Sequence, residues 1–110
     1  MTNQQSVNPT EWKEHLRYAL KNLYDPIRLQ NNPLMNLLHT STPKELQQLI
    51  ITTIQKLKPA PDLSMDSQAW RAYQLLSYRF IEQISQKEVA AIFSISIRHL
   101  RRLEVNTLYL

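Results

Sequence analysis

The sequence predicts an all-α protein: a compact helical domain without a sheet, in which N-terminal helices precede a C-terminal tri-helical helix-turn-helix unit. Three observations predict this class. The chain contains no Gly, which sheet-rich folds and phosphate-binding loops use heavily. Four of its six Pro residues stand at the start of a predicted helix, where a missing N–H does no harm. Apolar residues make up 43% of the chain and recur at helical spacing.

The N-terminal part divides into a disordered tail, residues 1–7, and a helical region, residues 8–58. Asn8-Pro9-Thr10-Glu11 predicts the start of the first helix, which would end near Tyr24. Asp25-Pro26 and Asn32-Pro33 each predict a short helical turn, and Thr42-Pro43 predicts a longer helix. The residues expected on the buried faces of the two longer helices are Trp12, Leu16, Ala19, Leu20, Leu23, Leu46, Leu49, Ile50, Ile54 and Leu57.

A Pro-rich linker, residues 59–65, separates this region from the helix-turn-helix unit, residues 66–110. Residues 66–84 predict one long helix with a wide apolar stripe. Trp12 and Trp70 each begin an apolar stripe, so both are expected to anchor a core. The aromatic residues expected to join them are Tyr18, Tyr24, Tyr73 and Tyr78.

Residues 85–104 predict two short helices joined by a tight turn. Ser85 and Glu88 form a capping box that would start a helix at Gln86. The apolar face of that helix is expected to contain Val89, Ile92 and Phe93, with the small Ala90 where the two helices cross. Ser94-Ile95-Ser96 then breaks the helix, with Ile95 pointing inward. Ser96 is expected to cap the second helix, in which Leu100 and Leu103 would face inward.

The run Glu88-Val-Ala-Ala-Ile-Phe-Ser-Ile-Ser-Ile-Arg-His-Leu-Arg-Arg102 resembles the helix-turn-helix of bacterial transcription regulators, closest to the sigma-factor region-four-like type. The resemblance covers about residues 66–106, with Trp70–Phe80 as the preceding support helix. It implies a DNA-binding unit whose second short helix enters the major groove. The family usually places Gly at the turn, where this chain has Ser94.

Charge is concentrated on the same segment. Residues 1–68 hold seven Lys/Arg and six Asp/Glu, whereas residues 69–110 hold six Lys/Arg and three Asp/Glu. A basic face of this kind attracts nucleic acid. The candidate DNA-binding residues are Gln86, Lys87, Ser96, Ile97, Arg98, His99, Arg101 and Arg102.

The candidate residues have different expected roles. Arg98 and Arg101 would reach base edges or phosphates, and Arg102 the DNA backbone. The alternative is a solvated face on which Arg101 or Arg102 pairs with Glu104 or with a terminal carboxylate. Ile97 would pack on a thymine methyl group or, equally, make a staple contact at the start of its helix.

Several function classes are excluded by composition. No Cys is present, and neither the His residues nor the carboxylates have metal-ligand or acid–base spacing, so no catalytic, metal or cofactor site is expected and the chain is not expected to be an enzyme. No apolar run approaches the roughly 20 residues that a membrane span needs. The polar, uncharged N-terminus is unlike a secretory signal, which favours a cytoplasmic location.

Two hypotheses remain. In the first, the chain is the DNA-binding module of a bacterial transcription regulator, with double-stranded DNA as its partner and a homodimer or further domains of a longer chain beside it. In the second, it is a helical protein-interaction or regulatory module of a signalling protein that does not bind DNA. That module would use the face around Leu34, Leu37 and Leu38 and the apolar end formed by residues 108–110.

Overall fold

The computed structural model describes residues 9–64 and 66–108. The predicted tail, residues 1–7, lies outside these ranges, as do Asn8, Met65, Tyr109 and Leu110. The described elements are α1 (Pro9–Lys21), α2 (Pro26–Gln30), α3 (Leu34–Leu37), α4 (Pro43–Lys56), α5 (Gln68–Leu76), a π-helix (Ser77–Ile81), α6 (Gln86–Phe93) and α7 (Ile97–Leu108). None of the described residues forms a strand, which confirms the all-α class. Within the same ranges, none of the helices combines the length and the apolar character of a membrane span.

The chain forms two compact units whose boundary falls inside α4: one unit ends at Gln48 and the other begins at Leu49. The sequence placed the division in the Pro-rich segment, residues 59–65. That segment does separate two helices, because α4 ends at Lys56 and α5 begins at Gln68. The interval between α4 and α5 is therefore a connection inside the C-terminal unit.

Helix starts in the N-terminal unit follow the predicted caps. Asp25 accepts the backbone N–H of Arg28 at 3.1 Å and so caps α2. Thr42 accepts the N–H of Glu45 at 3.1 Å, and the Glu45 carboxylate in turn accepts the N–H of Ser41 at 3.1 Å. These side chains satisfy N–H groups that have no partner inside the helix. Both predicted helix starts are confirmed.

Two side-chain amides connect separate segments of the N-terminal unit. The buried Asn32 accepts the N–H of Leu34 at 2.9 Å and donates to the backbone oxygen of His15 at 3.0 Å, which links the start of α3 to α1. Gln47 in α4 donates to the backbone oxygen of Leu23 at 3.0 Å. Because the oxygen and the nitrogen of the buried Asn32 amide are each hydrogen-bonded, neither is left without a partner in the interior.

Three aromatic residues predicted to lie in a core are exposed instead. Trp12 retains 37% of its surface, and Tyr18 and Tyr24 retain 46% and 44%. The helix α1 also ends at Lys21, earlier than the predicted end near Tyr24. The buried part of the stripe is narrower than the pattern implied and contains Ala19, Leu20 and Leu23. A small unit buries a limited fraction of its surface, so residues at the margins of a stripe stay accessible.

The predicted buried face of α4 is partly correct. Leu46, Ile50 and Ile54 are buried, and they recur every four residues along one side of the helix. Leu49 and Leu57 were also expected there but retain 39% and 52% of their surface. The helix therefore buries a single row of side chains, which is narrower than the full apolar stripe of its sequence.

The helix α5 begins one residue after a Ser cap. Ser67 accepts the N–H of Trp70 at 3.2 Å, a cap that the sequence analysis did not identify. Trp70 is buried, and its indole N–H donates to the backbone oxygen of Leu63 at 3.1 Å. The expectation that Trp70 anchors a core is confirmed, and its polar edge has a partner, as buried indoles require.

The prediction of a single long helix over residues 66–84 is wrong in its bounds and in its last turns. The α-helix covers only Gln68–Leu76. After Leu76 the backbone widens into the π-helix, in which the N–H of Glu82 donates to the oxygen of Ser77 at 2.9 Å. Gln83 then takes a left-handed conformation, with φ of 58°, and ends the helical path. Such a conformation is normally signalled by Gly, and this chain has none.

The helices α5, α6 and α7 enclose a common apolar cluster. Its fully enclosed members are Leu75 of α5, Val89 and Ala90 of α6, and Leu100 of α7. The partly buried residues that pack around them are Tyr78, Ile84, Phe93, Ile95, Ile97 and Leu103. The helix α6 packs against α7 and the π-helix, and α5 packs against α7. The predicted tri-helical unit is confirmed, although Ile92, expected in the cluster, retains 52% of its surface.

Candidate nucleic-acid interface

The turn between α6 and α7 is closed by a Schellman motif. Ser94 has φ of 59° and ψ of 42°, the left-handed conformation that usually belongs to Gly at this position. Its N–H donates to the oxygen of Ala91 at 3.1 Å, and the N–H of Ile95 donates to that of Ala90 at 3.0 Å. Ile95 packs against the apolar cluster, as predicted. The turn is therefore fixed by backbone hydrogen bonds and by one apolar contact.

Ser96 caps α7, as the sequence predicted. Its hydroxyl oxygen accepts the N–H of His99 at 3.0 Å. At the start of α6, Ser85 accepts the N–H of Glu88 at 3.1 Å, and its hydroxyl donates to the Glu88 carboxylate at 3.0 Å. Leu100, one turn after Ser96, is completely buried. The first half of α7 is therefore held both at its cap and at its core-facing side.

Most of the predicted DNA-binding residues lie on the solvent side of this unit. The exposed ones are Lys87, Ser96, Arg98, His99, Arg101 and Arg102. Gln86 is only partly exposed. Ile97, predicted to contact a thymine methyl group or to pack at the start of its helix, is partly buried and packs against the apolar cluster. Of its two predicted roles, the structure favours the packing contact at the helix start over a thymine contact.

The arginines of α7, Arg98, Arg101 and Arg102, have no carboxylate partner among residues 9–64 and 66–108. At the spacing of 98, 101 and 102, the three guanidinium groups occupy one side of the helix. This side of α7 is therefore a concentrated positive surface, which we call the arginine face (Arg98, Arg101 and Arg102).

Two carboxylates were expected to pair with Arg101 or Arg102. The pairing with Glu104 is wrong, and the terminal carboxylate lies outside the described residues. Glu104 is buried and pairs with Arg79 of the π-helix, with 2.6 Å between Oε1 and Nε. The Arg79 guanidinium also donates to the backbone oxygen of Ile84 at 3.0 Å. Arg79 and Glu104 are 25 positions apart in the sequence, so no local pattern indicated the pair.

Gln86 extends this ion pair to the arginine face. Its Nε2 donates to Glu104 Oε2 at 2.5 Å, and its Oε1 accepts from Arg101 Nε at 3.2 Å. We call the chain of contacts Arg79–Glu104–Gln86–Arg101 the Gln86 network. It joins the π-helix, α6 and α7 through side chains. Gln86 was predicted to be a DNA-binding residue, and in the structure both ends of its amide make hydrogen bonds within the protein.

A second cationic contact steadies the end of α6. The Arg71 guanidinium of α5 lies 4.3 Å from the centroid of the Phe93 ring, and the Tyr78 ring lies 6.1 Å from Phe93 at a tilted angle. Both contacts were missed from the sequence, because they join residues on different helices. Attraction between a guanidinium group and an aromatic face contributes about 0.5–1 kcal/mol at accessible sites.

Metal-ligand geometry is not found at this surface: within the described ranges, no three His, Asp or Glu side chains lie close enough together to hold an ion. What the surface offers chemically is positive charge and hydrogen-bond donors on a fixed helix. Its interpretation rests on these residues alone, because no family model, curated protein or solved structure matches the chain.

Proposed function

We propose that this chain binds double-stranded DNA as the DNA-binding module of a transcription regulator, with α7 in the major groove from Ser96 onward. The observation that carries the proposal is the arginine face. Three guanidinium groups project from one helix, and in the described part of the chain no carboxylate neutralises them. If Glu104 paired with Arg101 or Arg102, the arginine face would carry less positive charge. Because Glu104 pairs with Arg79 instead, this charge is available to DNA, which favours the DNA interaction.

The dimensions of α7 suit a groove. Its 12 residues span about 18 Å, and a B-DNA major groove, about 12 Å wide, admits an α-helix. Ser96, Arg98 and His99 are exposed at its N-terminal end, which is the end that enters the major groove in helix-turn-helix proteins. Lys87, exposed at the start of α6, is well placed to reach a phosphate.

Rigid support favours the same function. The cap at Ser96, the Schellman turn and the buried Leu100 fix α7 before any partner arrives. Less conformational freedom is then lost on binding, which raises affinity. A single unit of this size buries little DNA surface, so the proposal includes a homodimer or a linked second domain. The proposal also includes a cytoplasmic location.

Fluorescence anisotropy with labelled duplex DNA, titrated from low to physiological salt, tests the proposal. We expect binding that weakens with salt, with a log–log slope of a few units, because each phosphate contact contributes about 0.9 to the slope. Arg98→Ala and Arg101→Ala should each weaken binding and leave the melting temperature nearly unchanged, because both side chains are exposed.

The matched controls are Lys44→Ala and Lys56→Ala, which remove one exposed positive charge each from α4. They should change binding much less than the α7 substitutions, because the proposed contact is local. If all four variants lose affinity equally, the interaction is a general charge effect. If the wild-type chain does not bind even at low salt, the proposal is wrong.

The alternative is a protein-interaction module of a signalling protein that does not bind DNA. Its proposed docking face around Leu34, Leu37 and Leu38 offers little exposed apolar surface, since Leu34 is fully buried and the other two are partly buried. Its other proposed contact includes Tyr109 and Leu110, which lie outside the described residues. Absence of DNA binding would make this alternative the better one.

A further inference from the structure

We infer that Arg101 is the residue that reads a base, that the base is guanine, and that Gln86 acts as its positioning residue. The inference rests on the proposed DNA binding and deepens it. The three members of the arginine face are chemically identical, but only Arg101 has a side-chain partner among the described residues. The difference in their environments therefore separates one arginine from the other two.

The fixed end of the Gln86 network is the ion pair. Glu104 is buried, retaining 8% of its surface, and one of its oxygens lies 2.6 Å from Arg79 Nε. Its other oxygen accepts from Gln86 Nε2 at 2.5 Å. Hydrogen bonds to a charged group are short and strong, so Gln86 is held in one amide orientation. That orientation directs the amide oxygen outward.

The outward oxygen of Gln86 accepts from Arg101 Nε. Because the Glu104 charge is matched by Arg79, and because Gln86 is neutral, this contact fixes Arg101 without cancelling its positive charge. A carboxylate at the same place would orient the guanidinium group and neutralise it. The network thus combines a fixed direction with a charge that stays available to DNA.

What remains on Arg101 determines the base. A guanidinium group has five N–H donors, and Gln86 occupies the one on Nε. The two terminal nitrogens are left to donate in parallel, which matches the O6 and N7 acceptors of guanine in the major groove. The side chains of Arg98 and Arg102 have no polar partner among the described residues, so they suit phosphates, which accept a mobile cation from many directions.

The test is selection of duplexes from a random pool by the wild-type chain, followed by affinity measurements on the selected duplex and on its guanine-to-adenine variants. We expect one guanine whose replacement weakens wild-type binding by between about fivefold and about a hundredfold. Arg101→Ala should abolish that ratio. The neighbouring Arg102→Ala removes the same charge from another exposed site, and should weaken both duplexes by one common factor and preserve the ratio.

Gln86→Met tests the positioning role, because Met has similar length but neither amide donor nor acceptor. We expect the guanine ratio to fall by between about twofold and about tenfold, since the freed Arg101 side chain must then be ordered on binding. The salt slope should stay unchanged, because no charge is lost. A thermal melt confirms that the variant is folded. A merely structural role for Gln86 would weaken both duplexes equally.

The outcomes separate the two proposals. If the wild-type chain binds no duplex at low salt, the proposed function fails and the inference fails with it. If it binds, but the ratio survives Arg101→Ala or is lost in Arg102→Ala, the inference alone is wrong. If the guanine ratio is unchanged in a folded Gln86→Met variant, Gln86 is not the positioning residue.

Discussion

Two ion pairs, one in each unit, have similar partners and opposite surroundings. In the N-terminal unit, Arg28 and Asp25 are 3.2 Å apart, and their side chains retain 56% and 43% of their surface. In the C-terminal unit, Arg79 and Glu104 are 2.6 Å apart and retain 18% and 11%. The first pair joins residues three positions apart at one helix start, and the second joins two helical segments.

The contrast separates local from tertiary electrostatics. Exposed pairs contribute little, because water and salt screen both charges. Removing one partner of a buried pair strongly lowers the free energy of unfolding, because the other charge is then desolvated without a partner. In the N-terminal unit the carboxylate of Asp25 matters chiefly as a helix cap. In the C-terminal unit the carboxylate of Glu104, in α7, contacts Arg79 of the π-helix and Gln86 of α6, and so joins three elements.

The largest expected effect comes from Glu104→Ala. It leaves the Arg79 guanidinium group largely buried without a counter-charge and releases Gln86, so we expect the free energy of unfolding to fall by about 3 kcal/mol. Urea denaturation measures the change. The double variant Arg79→Met/Glu104→Leu should recover much of the loss, because neither buried charge remains. A loss below about 1 kcal/mol, as for exposed pairs, would contradict the contrast between the two units.

A smaller effect is expected from Asp25→Ala. It removes the oxygen that accepts the Arg28 N–H, so we expect a loss of about 1 kcal/mol from the missing cap. Asp25→Asn keeps an acceptor oxygen and removes the charge, and should cost much less. Urea denaturation and hydrogen exchange at the Arg28 amide measure both variants. Equal losses for the two would mean that the exposed ion pair matters after all.

Local signals were sufficient to predict the turn and most of the helix starts, although the Ser67 cap of α5 was missed. Ser85 with Glu88, Thr42 with Glu45, and Ser96 each act within three or four residues, so the sequence contains both partners of each cap side by side. The apolar spacing likewise predicted the buried Leu100. The arginine face was predictable for the same reason, because helical periodicity alone assigns exposed and buried sides.

Features that depend on distant contacts were not predictable. Arg79 meets Glu104 across 25 positions, and nothing in either residue's neighbourhood indicates the other. The early end of the helix at Gln83 was missed because a left-handed residue other than Gly has no marker in the sequence. Trp12 was assigned to a core from its spacing, but exposure depends on how far neighbouring elements cover a stripe.

The smallest expected effect compares left-handed residues in the two units. Ser94 in the C-terminal unit and His39 in the N-terminal unit have φ of 59° and 56°, in a chain without Gly. Ser94→Gly should raise the free energy of unfolding by about 0.5 kcal/mol, because relief of the left-handed conformation exceeds the added entropy of the unfolded chain. Urea denaturation measures the gain.

Ser94→Ala is the matched control for this prediction, because it keeps the Cβ and should give no gain. If Ser94→Gly stabilises and His39→Gly does not, the strain is specific to the Schellman turn that orients α7. Equal gains would mean that both units carry the same cost of a sequence without Gly. The turn before the arginine face would then be no more strained than an ordinary loop, and the direction of α7 would depend on its cap and on the apolar cluster.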